Sequence, residues 1–186
     1  MKIEPGPRYT LPMHMPYFVI GASGSGKTSA VRELEGTGRS DLKTFFFDTI
    51  GVPSEPERIE RWGSGGGWQR AMTVEWMKRM RRELPNSSVL LDGQTRPSFI
   101  AEACEINDVK SYKVILIDCS DGVRKARLLQ RGQPELANEQ MMEWGRYLLR
   151  ETKKIGGEII NNDNLSIIET AAAIETIVAG LASKML

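Results

Sequence analysis

The chain is poor in the residues that build metal centres and disulfide frameworks: its 186 residues include two cysteines and one histidine. Cys104 and Cys119 fall in segments that read as buried helix and buried strand, so two reduced core thiols are expected rather than a bridge. Together with His14 they make no ligand cluster. Long apolar runs are missing as well. No stretch approaches the ~18 residues that a membrane helix requires. Met1 to Pro16 holds four prolines and no apolar core of a signal peptide, so a soluble, cytoplasmic protein with no membrane partner is expected. Nor is there an excess of charge of one sign: Lys+Arg 25 against Asp+Glu 24 leaves a formal net charge of +1. With no global field, nucleic acid is not expected as a partner, and any anion must be met by a local site.

What is present is ordinary globular composition, 40% hydrophobic and 26% charged, in a length that suits one domain over residues 1–186. After a proline-rich lead-in at 1–16, short apolar runs recur: Tyr17 to Gly21, Thr44 to Asp48, Val89 to Asp92, Tyr112 to Asp118 and Glu158 to Asn161. They are continuous rather than alternating, as expected of strands covered on both faces in a parallel sheet. Three of them end in aspartate: Asp48, Asp92 and Asp118. Helical stretches lie between them, near 27–35, 68–82, 98–107, 121–131 and 138–155. A final helix over Ser166 to Met185 opens with a capping box, Ser166 and Glu169. On it Ile167, Ala171, Ile174, Val178 and Leu181 share one face. Strand–helix alternation predicts a three-layer α/β domain whose ligands sit beyond the carboxyl ends of the strands. Gly63 to Gly67 (GSGGG) lies between two helical pieces and reads as a mobile loop.

The sharpest motif is Gly21-Ala22-Ser23-Gly24-Ser25-Gly26-Lys27-Thr28. It fits G-x-x-x-x-G-K-[ST] in full and stands between a predicted strand and a predicted helix, the context that gives the pattern its meaning. Glycines let successive N–H groups curl around one anion at a helix N-terminus, Lys27 reaches the outer phosphates, and the Thr28 hydroxyl suits Mg²⁺. ATP and Mg²⁺ are therefore the expected cofactors. A metal-bound triphosphate also needs a strand-end carboxylate nearby, and Asp92 supplies it. Arg124, Arg127 and Arg131, spaced 3 and 4 apart, share a helix face; such a stripe is a solvated basic face or a set of cations for a phosphate.

Asp92-Gly93-Gln94-Thr95-Arg96 resembles the D-G-x-P-R segment of the nucleoside monophosphate kinase group of P-loop kinases, adenylate kinase in particular. Ile117 to Asp121 followed by Arg127-Leu128-Leu129-Gln130-Arg131 is similar to that family's fourth strand and the arginine-bearing helix leading into its lid. The resemblance implies the three-layer P-loop NTPase fold, with a parallel five-stranded sheet, helices on both faces and a short helical lid. It implies an acceptor-side insertion at 49–84 and a lid at 132–150. By the same resemblance Asp92 assists Mg²⁺, Arg96 holds an acceptor phosphate, Arg127 lies over the adenine and Arg131 near the transferring phosphate. Arg146 and Arg150 are further lid candidates, and Asn162, within Asn161 to Leu165, falls in the loop lining the adenine. The chain departs from the family in two places. T-G-D-x-x-x-R is absent after the second strand, and Ile100 stands where adenylate kinases carry a base-reading glutamine.

The residues leave the acceptor, a small molecule, open. Asp48 is either a base for a substrate hydroxyl, as in P-loop kinases of sugars, shikimate, antibiotics and polynucleotide 5′ ends, or a structural cap. Arg58, Arg61 and Arg70 with Trp62 and Trp68 are either an anionic stacking site or two core tryptophans with solvated arginines. The basic run Lys78, Arg79, Arg81 and Arg82 reads as a solvated helix end. The expected function is ATP-dependent phosphoryl transfer to a nucleotide or nucleoside. The alternatives are a kinase of a hydroxyl metabolite using Asp48, and a non-kinase ATP-binding switch or ATPase. The acceptor is expected in a cleft between Asp48, Gly63 to Gly67, Gln94 and Arg96.

Overall fold

The computed structural model describes residues 14–180. Most of the proline-rich lead-in and the last turn of the expected final helix, with Leu181, lie outside the described residues. Five strands, β1 (Pro16–Ile20), β2 (Leu42–Phe46), β3 (Ser88–Gly93), β4 (Lys113–Asp118) and β5 (Glu158–Asn161), form one sheet in the order β2-β3-β1-β4-β5. Every pair is parallel, and Val19 of β1 is in register with Asp92 of β3. The chain leaves β1 toward β2 and β3 on one side and then crosses to β4 on the other, so a crevice opens at the carboxyl end of β1.

The period of two along each strand divides the core. Phe18, Ile20, Val89, Leu91, Val114 and Leu116 face helices α3 (Gly65–Arg81), α4 (Pro97–Ile106) and α6 (Glu139–Lys154), meeting Met77, Met80, Ile100 and Leu148. Tyr17, Val19, Leu90, Ile115 and Ile117 face α1 (Lys27–Gly36) and α7 (Ile167–Val178), through Val31, Leu34 and Ile174. Both faces are thus dry, which is why the strands read as unbroken apolar runs; each fully buried Leu, Ile or Phe contributes ~1.5–3 kcal/mol. Helix α5 (Asp121–Gln130) stands after β4, its N-terminus capped by Ser120.

The capping box at Ser166 forms as expected, with the Ser166 N–H donating to Glu169 at 2.8 Å. Ala171, Ile174 and Val178 of the anticipated face are buried, whereas Ile167 is exposed and Ile177 takes its share of the core. The expected mobile loop Gly63 to Gly67 is instead a tight corner between α2 (Glu55–Trp62) and α3. Gly63 ends α2 in the left-handed region (φ 75°) and the Ser64 hydroxyl caps α3 by accepting from Gly67 N–H at 3.0 Å. A Cβ on Gly67 would collide with the Trp62 carbonyl oxygen, so that glycine serves close approach rather than motion. The expected lid segment, 132–150, begins with a 3-10 turn at Pro134–Leu136 and continues into α6, whose Met142, Gly145 and Leu148 are buried.

Candidate active site

The loop from Gly21 to Lys27 closes the carboxyl end of β1 and opens α1. Gly24 and Gly26 have φ of 82° and 86°, a region that glycine enters without penalty, and this curls the backbone over the helix N-terminus. Ala22 and Ser25 are buried. Burial pulls the Lys27 ammonium below its ordinary pKa, while the charges of Asp92 and Asp48 pull it back up. The Thr28 hydroxyl donates to Asp92 Oδ2 at 2.6 Å. Asp92 is 4% exposed, and its other oxygen, Oδ1, is buried with no partner among the described residues. Burial raises the pKa of this carboxyl, opposed by Lys27 and by the Thr28 bond. A hydroxyl and a carboxylate with an uncommitted oxygen form a hard-oxygen donor pair of the kind Mg²⁺ takes, so the residues present fit the expected ion.

Arg127 and Asn162 meet over the same loop. Arg127 donates to Asn162 Oδ1 at 3.0 Å and to its backbone oxygen at 2.9 Å, and Asn162 Nδ2 donates to the Ser25 carbonyl at 2.8 Å. Arg131, just past the end of α5, is exposed, makes no ion pair among the described residues, and its charge acts on Lys27. Arg124 breaks the anticipated stripe. It is 1% exposed and pairs with Asp118 at 3.1 Å, so it belongs to the packing beneath the loop.

Asp48 lies two residues past β2, within a 3-10 turn at Phe47–Ile50. It is exposed, and its carboxylate caps nothing among the described residues. Its charge nevertheless acts on both Lys27 and Asp92, and Phe46, two residues before it, is in register with Asp92 of β3. Phe47, not Asp48, turns into the core, edge to face against Trp68.

Beside the loop opens a cavity of about 700 Å³, walled by the α2–α3 corner, the turn after β3, and the start of α6. Gly65, Gly66, Gln94 and Arg96 line it as expected, but Asp48 does not. Gln94 joins the two sides: its side-chain oxygen accepts from the Ser23 hydroxyl at 3.1 Å, and its carbonyl accepts from the Gln69 side chain. Of the arginines weighed for an anionic acceptor, only Arg58 faces the cavity; Arg61 stacks on Trp62 and Arg70 is held by Glu102. Of the two lid candidates Arg150 lines the cavity, while Arg146 is consumed by Asp121, Glu139 and Glu143. Ile100 is fully buried, so nothing at that position reads a base.

Trp144 and Tyr147 escaped the sequence reading. They stack at 5.2 Å with an interplanar angle of 14°, and the Arg96 guanidinium sits 4.9 Å and 5.2 Å from their ring centres. Their i, i+3 spacing beside Met141 was the available signal, one that an ordinary core face produces equally well.

No protein-family model matches this chain, and no curated protein is significantly similar to it in sequence. Solved structures do match. A shikimate kinase from Acinetobacter baumannii, in complex with shikimate, superposes with a TM-score of 0.61 at 17% identity, covering 92% of this chain and 96% of its own. A sugar kinase from Janibacter sp. gives 0.58 at 19% identity over 91% and 96%. The parallel five-stranded sheet with helices on both faces is the P-loop kinase fold.

Proposed function

We propose that this protein is a P-loop kinase that transfers the γ-phosphoryl group of ATP to a small acceptor. The observation that carries this reading is the Thr28–Asp92 bond at 2.6 Å beneath a complete phosphate loop, with Asp92 Oδ1 uncommitted. Mg²⁺ held by Thr28 and Asp92 would supply positive charge to the phosphate oxygens. The chain's own groups do the rest by position. Backbone N–H groups of residues 21–27 and the α1 N-terminus cradle the donor's phosphates. Lys27 and Arg131 neutralise charge that grows at the transferring group, and Arg127 with Asn162 borders the donor's base. The third reading, a non-kinase ATP-binding switch or ATPase, is less well supported, because a cavity of about 700 Å³ adjoins the loop through Gln94.

For the acceptor, Asp48 favours a hydroxyl. An exposed carboxylate that caps nothing among the described residues, and whose charge reaches Lys27 and Asp92, would take the hydroxyl proton on one of its oxygens as the new O–P bond forms and the bond to ADP breaks. The names of the matched structures, a shikimate kinase and a sugar kinase, lend this weight. A nucleotide acceptor is the second reading, favoured by Arg96, which the D-G-x-P-R resemblance puts on an acceptor phosphate and which does line the cavity.

Calorimetric titration with Mg·ADP and a coupled ADP-release screen over hydroxyl metabolites and nucleotides test the reading. Wild type should bind Mg·ADP, and Lys27→Ala should lose ~10² or more in turnover with whichever acceptor is found. Absence of Mg²⁺-dependent nucleotide binding by wild type would end it.

A further inference from the structure

Arg124 is the most deeply buried charged residue among the described ones, 1% exposed against 4% for Asp92. It is also poorly satisfied for a buried cation. Its Nη2 donates to Asp118 Oδ1 and to the Cys119 carbonyl, each at 3.1 Å, while Nε and Nη1 are buried with no partner among the described residues. Taking a guanidinium out of water is costly, and one carboxylate beside two idle N–H-bearing nitrogens offsets little of that cost. Stability alone is therefore a weak reason for an arginine here.

Its surroundings give a better one. The phosphate loop lies against its stem: a Cβ on Gly24 would fall 2.9 Å from Leu128 Cγ, 3.0 Å from the Arg124 carbonyl oxygen and 3.1 Å from Arg124 Cγ. Gly24, in the left-handed region at φ 82°, thus rests directly on α5. Cys119, whose carbonyl Arg124 holds, has its Sγ 3.9 Å from the Gly24 carbonyl oxygen. Helix α6 lies against the guanidinium: a Cβ on Gly145 would fall 2.8 Å from Nη2, 2.9 Å from Cζ and 3.1 Å from Nε. The charge of Arg124 also acts on Lys27, so the guanidinium adds to the positive field of the loop.

We propose that Arg124 is a positioning residue for the donor's phosphates. By anchoring to Asp118 and Cys119 the stem on which Gly24 rests, it fixes where Gly24 sits and so the curl of the phosphate loop; Gly145 leaves the room that the guanidinium needs. At 1% exposure Arg124 meets no substrate itself and acts through the loop. The inference rests on the kinase reading above and adds a residue to its machinery. Preorganised N–H dipoles lose their effect when misplaced, so a group buried behind the loop governs binding at its front.

The test measures amide hydrogen exchange of residues 21–28 in the nucleotide-free full chain, beside calorimetric titration with Mg·ADP. Gly145→Ala keeps every charge and hydrogen-bonding group yet drives a Cβ into the guanidinium. Arg124→Lys keeps the charge and the stem but not the fork that reaches Asp118 and Cys119 together. Each should speed exchange in the loop ~10-fold or more while β3 keeps its wild-type protection. Each should also weaken Mg·ADP by about 10-fold, as expected for a lost charge-assisted bond. The double variant should be no worse than the stronger single, because both act through one group. Met80→Ala, a wholly buried residue of the α3 layer, is the control: it should lower Tm with loop exchange and Mg·ADP affinity unchanged. If one variant fails to fold, the other decides. Wild-type loop exchange and Mg·ADP affinity in either folded variant would overturn the proposal. Loop exchange that rises only together with that of β1 and β3 would also overturn it, as the mark of a merely structural role. Wild type that binds no Mg·ADP would end the kinase reading, and the exchange measurement would still decide whether Arg124 holds the loop.

Discussion

The two halves of the crevice solve opposite physical problems. On the nucleotide side the framework is paired, Thr28 to Asp92, Arg127 to Asn162, Asn162 to the Ser25 carbonyl and Arg124 to Asp118, while Asp92 Oδ1 stays uncommitted. On the acceptor side the guanidinium groups of Arg58, Arg96 and Arg150 have ring faces beside them or solvent around them, and no counter-charge among the described residues. A phosphate cradle works by preorganised dipoles that need no reorganisation when charge arrives. An acceptor site gains selectivity from groups left unsatisfied until the right ligand enters, since the wrong ligand leaves them so. The contrast predicts that variants will sort by side, and the sharpest way to break it is to find one that does not.

The largest effect is expected where the halves meet. Asp48→Asn removes a proton acceptor while keeping shape. With a hydroxyl acceptor kcat should fall ~10² or more, and with a nucleotide phosphate acceptor far less, because that oxygen is already an anion. Mg·ADP affinity from calorimetry should hardly change. A loss of nucleotide binding equal to the loss of kcat would show Asp48 to serve the donor side.

Next comes the corner between α2 and α3. Gly67→Ala drives a Cβ into the Trp62 carbonyl oxygen, and the backbone there must shift. Overpacking of this kind costs ~1–3 kcal/mol. Because the corner walls only the acceptor cavity, the acceptor KM should rise and Tm should fall, with Mg·ADP affinity held within about twofold of wild type. Equal weakening of both ligands would mean that the halves are mechanically one.

A smaller effect separates stability from function on the nucleotide side. Burial holds the Asp92 carboxyl above its ordinary value in the folded chain. Above that raised value, folding carries the cost of a buried charge. As pH falls through it the folded chain takes up a proton before the unfolded chain does, and stability rises. Asp92→Asn keeps an acceptor for the Thr28 hydroxyl and removes the charge at every pH. Without Mg²⁺, Tm near neutral pH should therefore rise by about 2–4 °C, the shift that ~1 kcal/mol produces in a chain of this size. The gain should shrink as pH is lowered, while Mg²⁺-dependent turnover collapses. A variant less stable than wild type at neutral pH would show that Lys27 and Thr28 more than repay the burial of Asp92.

Legibility in the sequence follows the same division. The phosphate loop was readable because eight consecutive residues and the backbone do the work, and the strands because a sheet covered on both faces demands unbroken apolar runs. The pairing of Thr28 with Asp92 followed from where strands end in a parallel sheet. The acceptor side was readable only in part. Arg96 and Gln94 came through a family resemblance, but the fate of each other arginine is tertiary: Arg70 meets Glu102 from α4, and Arg146 meets Asp121 from α5. Gly63 to Gly67 misled because glycine serves flexibility and close approach with the same letters, and only the Trp62 carbonyl packed against Gly67 and the left-handed turn at Gly63 decide between them. Trp144 and Tyr147 were hidden because stacking on a distant arginine leaves the same i, i+3 pattern as a core face.

The smallest effect is expected at Arg146, a lid candidate by the family resemblance, set against Arg131, which the same resemblance puts near the transferring phosphate. Arg131 is exposed, makes no ion pair among the described residues, and its charge reaches Lys27. Arg146 is spread across three carboxylates, those of Asp121, Glu139 and Glu143, which are themselves 43%, 77% and 59% exposed. A cation so engaged cannot also reach a phosphate without giving up its partners, and exposed pairs contribute little to stability because water and salt screen them. Arg146→Ala should thus leave turnover and Mg·ADP affinity near wild type, with Tm within about 2 °C, whereas Arg131→Ala should lower turnover by ~10². Steady-state rates and calorimetry on the two variants side by side decide it. A rate loss for Arg146→Ala as large as that for Arg131→Ala would mean that Arg146 leaves its carboxylates during turnover, and that α6 moves toward the phosphate loop when both substrates are bound.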